Sequence, residues 1–166
     1  MLRTPVVLAF AALLAACGSE TSGEIVTDEG ETGEYTIDRA SGETSASIET
    51  PDGTATMRSG ANVPVDLPDG FSLYPGAKVI TNTVVDHADN KGNMVTFETG
   101  DSPKKVAAYY RKQAEAAGIK VQIDATINGG SMIAGDDGKG LSFSINASET
   151  EGTTSAQLMI GRKLAN

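Results

Sequence analysis

Apolar positions in the last two thirds of the chain switch between two periods, and the switch predicts where strands give way to a helix. In IKVQIDATI, Ile119, Val121, Ile123, Ala125 and Ile127 alternate with Lys120, Gln122, Asp124 and Thr126. LSFSINAS repeats this with Leu141, Phe143, Ile145 and Ala147, and SAQLMIG with Ala156, Leu158 and Ile160. A period of two places alternate side chains on one sheet face. Strict alternation predicts antiparallel strands with one greasy and one wet face, because parallel strands covered on both sides read as continuous apolar runs. AKVITNTVVD and NMVTFET read as two earlier strands joined by the polar loop DHADNKGN. Between the two sets, DSPKKVAAYYRKQAEAAG changes to a period of 3.6. Val106, Tyr109, Tyr110, Gln113, Ala114 and Ala117 fall on one stripe; Lys104, Lys105, Arg111 and Lys112 fall on the other. Ser102 is placed to cap this helix, Pro103 to open it and Gly118 to close it in a left-handed turn. The short links NGG, GDDGKG and SETEGT suit hairpins. The expected fold is α+β, mainly antiparallel sheet with one amphipathic helix packed on one face, in the order strand, strand, helix, then three or four strands.

Upstream the signals weaken. YTIDRA, ETSASIET and TATMRS are short β-type runs broken by Ser41-Gly42 and Pro51-Asp52-Gly53, turn chemistry that reads as a small meander over 35–60. Its apolar content is thin, so it must either add to a larger sheet or stay mobile. VPVDLPDGFSLYPGA, with three prolines, is an extended lead-in whose Leu67, Phe71, Leu73 and Tyr74 are expected to dock on the main domain, 61–166. Gly18 to Glu34 is rich in Gly, Ser, Thr and Glu with little to bury, and reads with residue 17 as a flexible acidic tether, 17–34, spanning on the order of 20 to 25 Å.

Arg3 followed by the uncharged apolar run Val6 to Ala16 reads as an export signal, 1–16, since the run is too short to cross a bilayer. It ends at the only cysteine of the 166 residues, Cys17. Ordinary signal cleavage after Gly18 also fits the spacing, and the reading without lipid is a plain secreted protein with a free or buried thiol. Leu14-Ala15-Ala16-Cys17 resembles a bacterial lipobox. That resemblance implies cleavage between Ala16 and Cys17, a diacylglyceryl thioether on the Cys17 sulfur, acylation (palmitate-type) of the new amino group, and a membrane anchor. Gly18, where an aspartate commonly retains such proteins at the inner membrane, implies the periplasmic leaflet of the outer membrane if the source is Gram-negative. Tyr74-Pro75-Gly76-Ala77, Asp101-Ser102-Pro103 and the Tyr109-Tyr110 pair resemble a loose group of small bacterial envelope lipoproteins and exported proteins, over residues 67–162. In shape, such a sheet with one helix resembles the helix-grip modules of envelope assembly lipoproteins; neither likeness supplies a catalytic residue.

Charge and composition narrow the chemistry. The 22 acidic and 13 basic residues exclude a nucleic-acid partner, and the sparse cations Lys104, Lys105, Arg111 and Lys112 read as a solvated helix face. Residues 18–60 hold ten acids against Arg39 and Arg58, whereas 61–166 are nearly balanced. His87 is the only histidine and sits in a loop, so a histidine metal cluster is excluded and a triad is not expected. Gly70 to Tyr74 fails as a nucleophile elbow and Gly135 to Ser142 fails as a phosphate loop; both read as turns. Asp86 with Asp89 and Asp136 with Asp137 do not match a calcium loop, and without tryptophan a glycosidase cleft is not expected. The expectation is therefore no catalytic residue, no metal and no cofactor. The function expected is a lipid-anchored, non-catalytic interaction module with an envelope protein partner, bound through an exposed sheet face or edge strand. The alternative is a binder of a small apolar ligand or lipid between helix and sheet, in a cavity lined by Phe97, Tyr109, Tyr110 and Phe143.

Overall fold

The computed structural model describes residues 20–26, 30–51, 53–87 and 90–163. Their strands are β1 (Glu20–Val26), β2 (Thr32–Asp38), β3 (Glu43–Thr50), β4 (Gly53–Gly60), β5 (Lys78–His87), β6 (Asn90–Thr99), β7 (Lys120–Ile127), β8 (Gly130–Asp136), β9 (Leu141–Thr150) and β10 (Thr153–Lys163), with the helix α1 (Pro103–Ala116) between β6 and β7. All ten form one antiparallel sheet in the order β1-β2-β3-β4-β5-β6-β10-β9-β8-β7. The α+β architecture expected from the pattern is the one observed. Topology follows from the single helix: α1 carries the chain from mid-sheet to the far edge, and three hairpins bring it back until β10 pairs with β6.

The helix ends behave as the sequence implies, with one difference. Ser102 is the N-cap in extended conformation but makes no side-chain cap bond; its carbonyl accepts the first helical N–H groups. Pro103 at the first position has no N–H to satisfy. At the other end Gly118 takes φ 80°, and the N–H groups of Gly118 and Ile119 donate to Glu115 and Ala114 carbonyls, a Schellman closure. Val106, Tyr110 and Ala114 are fully buried against Val95, Phe97, Ile145 and Leu158, which are equally inaccessible. Tyr109 and Gln113, expected on the same stripe, sit at its rim and hold the lead-in instead.

That lead-in completes the covered face. Phe71 and Tyr74 are in the core, and Asn82, buried on β5, donates to the Pro64 carbonyl at 2.7 Å. Residues 63–77 and α1 together cover the same side of β5–β10.

The meander is not separate from the main domain. β4 pairs with β5 from Ala55↔His87 to Gly60↔Asn82, so β1–β4 extend the main sheet. Of the expected tether, residues 20–26 are instead strand β1, and β2 begins at Thr32. The reason lies in one cross-strand pair, Gly23↔Tyr35. The Tyr35 ring lies over Gly23 so closely that a Cβ there would come within 2.6 Å of ring carbon Cε1.

A second departure concerns β7. The register shifts between Val121 and Ile123, a bulge that sends the following alternation to the other side. Ile119 and Val121 belong to the core and its margin, whereas Ile123 and Ile127 are 45% and 69% exposed. Asp124, expected on the wet face, therefore shares the helix side with Ile133 and pairs with Arg111.

Candidate functional site

Cross-strand partners share a face, so the ladders sort every strand residue onto the helix side or the open side. Ten large hydrophobic side chains are exposed among the described residues, and all but Val26 and Ile80 fall on the open side. One row of that side runs Tyr35, Ala46, Met57, Val85, Gly92 and Gly161, without a charge. The opposite side of β1–β4 carries Glu24, Glu34, Glu43, Glu49 and Arg58. That row of the open face is thus uncharged and part apolar where the expectation was simply wet, the charges of this side among the described side chains, Lys78, Glu98, Lys120 and Asp136, standing away from it. Contiguous exposed apolar surface of this kind marks binding surfaces.

At its centre is a solvent-open hollow of about 450 Å3. Its floor is the cross-strand glycine pair Gly92↔Gly161, and its walls are Val85 on β5 and the facing pair Met94↔Met159. Thr83, Ser142 and Ser144 supply hydroxyls at the margins. Glycine leaves the backbone bare: a Cβ on Gly161 would meet nothing closer than Ser142 Oγ at 3.8 Å. The hollow exists because two adjacent strands carry no side chain at the same level. Val85 at 44% and Met159 at 48% exposure stand unfilled around it.

The helix–sheet seam offers no comparable space. Tyr110 and Phe97 have ring centres 6.2 Å apart and no exposure, and Phe143 packs 5.9 Å from Phe71. Of the four residues expected around a ligand between helix and sheet, Phe97 and Tyr110 are core and Tyr109 is rim. Phe143 is core too, and also borders the open hollow from behind. The hollow of about 450 Å3 lies on the other side of the sheet.

The strings Tyr74-Pro75-Gly76-Ala77, Asp101-Ser102-Pro103 and Tyr109-Tyr110 meet in one structural cluster. The Tyr74 N–H donates to Tyr110 Oη at 3.0 Å and the Tyr74 hydroxyl to Asp101 Oδ2 at 2.9 Å. Tyr109 lies edge-on to Tyr74 at 5.1 Å, and its hydroxyl bonds Ser72 Oγ at 2.8 Å. Gln113 accepts the Ser72 N–H at 2.8 Å. Burial pushes Tyr110 well above the ordinary tyrosine range, and burial with the Asp101 hydrogen bond raises Tyr74. Hydroxyls so held are structural clamps, poor proton donors at neutral pH.

The remaining candidates carry no assembled chemistry. His87 Nε2 is 2.9 Å from Thr50 Oγ1, away from any serine–carboxylate pair in the hydrogen bonds described. Asp136 accepts the Gly138 N–H and Asp137 those of Lys139 and Leu141, which lower the Asp137 carboxyl; both are turn anchors. Gly70 to Tyr74 is part of the docked lead-in. Lys105 pairs with Asp101 and Arg111 with Asp124, while Lys104 and Lys112 are exposed. Asp86 lies on β5, and Asp89, Ala16 and Cys17 lie outside the described residues. Among the described residues no group of acidic, histidine or cysteine side chains is placed to hold a metal, and no helix is long and apolar enough to cross a membrane.

The candidate-site residues that pattern reading missed are Gly92, Met94, Met159 and Gly161. Gly92 falls inside the string read as a loop, Met159 falls between the positions read as the greasy face, and Met94 lies in a strand to which no face was given. Two methionines at those positions were the available signal.

The antiparallel sheet thus carries a packed helix on one side and an open hollow on the other. A family model described as START domain-like matches residues 79–154, from β5 to the start of β10 and less than half of the chain. No curated protein and no solved structure is matched.

Proposed function

We propose that this chain is a lipid-anchored envelope lipoprotein whose sheet domain is a non-catalytic binder of a small apolar ligand on its open face. The observation that carries the reading is the apolar hollow over Gly92 and Gly161, walled by the exposed side chains Val85, Met94 and Met159. The START domain-like match is compatible with ligand binding. Pockets of roughly 300 to 1,000 Å3 that are mainly apolar suit small ligands. The lipobox-like Leu14 to Cys17 supports anchoring through Cys17, with cleavage after Ala16, and Gly18 supports the periplasmic leaflet of the outer membrane.

The neutral fluorophore N-phenyl-1-naphthylamine tests the binding reading. Saturable fluorescence enhancement is expected for the native domain and its loss for Gly161→Leu, which fills the floor without a backbone collision. Equal enhancement by a Gly161→Leu protein of native circular dichroism would overturn the site. The anchor is tested separately: labelled palmitate should enter the native chain and not Cys17→Ser, and an unmodified amino terminus after Gly18 rejects it.

A further inference from the structure

The hollow on the open face is broad in both directions. Across the sheet its floor of bare backbone lies between Val85 on β5 and Ser142 on β9, three strand spacings or about 14 Å apart. Along the strands it runs from the Met94↔Met159 pair past Gly92 and Gly161 into a second hollow of about 390 Å3 that reaches Asn90 and Gly140. Met94 to Asn90 covers about 13 Å at ordinary strand rise. The shape is a plate, not a channel. Among the described residues no charged side chain is aimed at it. Lys91 and Arg162 border the second hollow, but both stand on the helix side, Arg162 opposite the core residue Leu141. Asp136, the cross-strand partner of Ser142, has its carboxylate engaged by Gln122 and by the Gly138 N–H.

The polar groups that do face the floor are neutral. Thr83 is already bonded, its Oγ1 lying 2.9 Å from Ser59 Oγ. Ser142 and Ser144, on the open side of β9, have hydroxyls with no partner among the described residues, and a hydroxyl can donate or accept. At another margin Met94 and Met159 present thioethers, which favour the edge of an aromatic ring. Gln157 Nε2 touches Met94 Sδ at 3.5 Å, a weak bond that a ring edge can displace. Glycine at both floor positions lets a ring lie directly on the peptide planes, where a Cβ would hold it off. An ion seated here would lose water without gaining a counter-charge, and an alkyl chain would leave most of the plate bare. Building on the apolar-ligand reading above, we propose that the ligand is a neutral, planar aromatic molecule of fused rings carrying a hydroxyl or carbonyl group. Its face lies on the Gly92 and Gly161 backbone, its edge meets Met94 and Met159, and its polar group bonds Ser142 or Ser144.

The experiment is displacement of N-phenyl-1-naphthylamine at neutral pH by 2-naphthol, its saturated counterpart decahydro-2-naphthol, 1-octanol and 2-naphthoate. 2-Naphthol is expected to compete about fivefold more strongly than either saturated alcohol, the scale of two sulfur–ring contacts, and 2-naphthoate to compete least. Met94→Leu with Met159→Leu keeps the apolar volume and should cut the preference for 2-naphthol over decahydro-2-naphthol at least twofold without weakening the latter. A saturated alcohol competing as well as 2-naphthol, or a preference unaltered in the double variant, overturns the aromatic seat but leaves the apolar site standing. The same holds where the probe binds and 2-naphthol fails to displace it. 2-Naphthoate competing best overturns the neutral ligand. Failure of every competitor together with an unbound probe overturns both this ligand class and the apolar-ligand reading.

Discussion

The strands β5–β10 and the extension β1–β4 obey the same ladder geometry but are held by different forces. Every residue of the hydrophobic core cluster lies at position 71 or beyond, so the extension contributes none. Its stability rests on backbone pairing and on side chains that stay half exposed, such as Tyr35, Ala46 and Ile48. Isolated sheets of that kind are marginal in water. Its attachment to β5 is what makes it persist. The comparison teaches that hydrogen-bonded continuity does not imply uniform stability: one sheet joins a region fixed by a core to one that opens at lower free energy.

The largest effect should separate these regions cleanly. Tyr110→Ala removes a fully buried ring packed on Phe97 and strands the Tyr74 N–H that bonds its hydroxyl. A loss of about 3–5 kcal/mol in urea unfolding is expected. Met57→Ala, in the extension and already 37% exposed, should cost under about 1 kcal/mol. Comparable losses at the two positions would mean that β1–β4 is part of the cooperative core.

A smaller effect probes why the extension is weak. Register sets Glu24 opposite Glu34 and Glu20 opposite Asp38, like charges on directly facing positions of an edge ladder. Such pairs are unfavourable, and an opposite-charge pair contributes roughly 0.2–1 kcal/mol. Glu24→Lys should therefore raise amide protection across β1 and β2 and leave β6, β9 and β10 unaltered. Protection that falls would show that the acid pair is not what loosens this edge.

Most of the covered half was legible from residue order. Pro103 and Gly118 bound the helix, and Leu141, Phe143, Ile145 and Ala147 identify a one-sided strand without reference to any other segment. The open face was not legible, because its glycine floor arises from the register of β6 on β10, and pairing partners are not encoded in local periodicity. The bulge after Val121 was hidden for a related reason: Ile123, Ala125 and Ile127 keep the same alternation on either face. β1 escaped notice because its stabilising contact, Tyr35 over Gly23, joins two segments that each look too polar to order.

The smallest expected effect tests how the covered half holds its lead-in. Asp101 receives hydrogen bonds from Lys105 Nζ at 2.8 Å and from the Tyr74 hydroxyl at 2.9 Å. Lys105 first and Tyr74 second hold its carboxyl below the ordinary value of 3.8. A carboxylate depressed on folding stabilises the protein above its unfolded value, and that contribution fades as pH falls through the lower folded value. Asp101→Asn keeps an oxygen for Tyr74 and removes only the charge. The variant should be slightly less stable than native at neutral pH, by less than either change above because the pair is solvent-screened. The gap should close well below pH 3.8, where the native carboxyl takes up its proton. A gap that persists in acid would assign the role to shape and not to charge, and would place the Tyr74 hydroxyl, not Lys105, as the contact that fastens residues 63–77 to the helix.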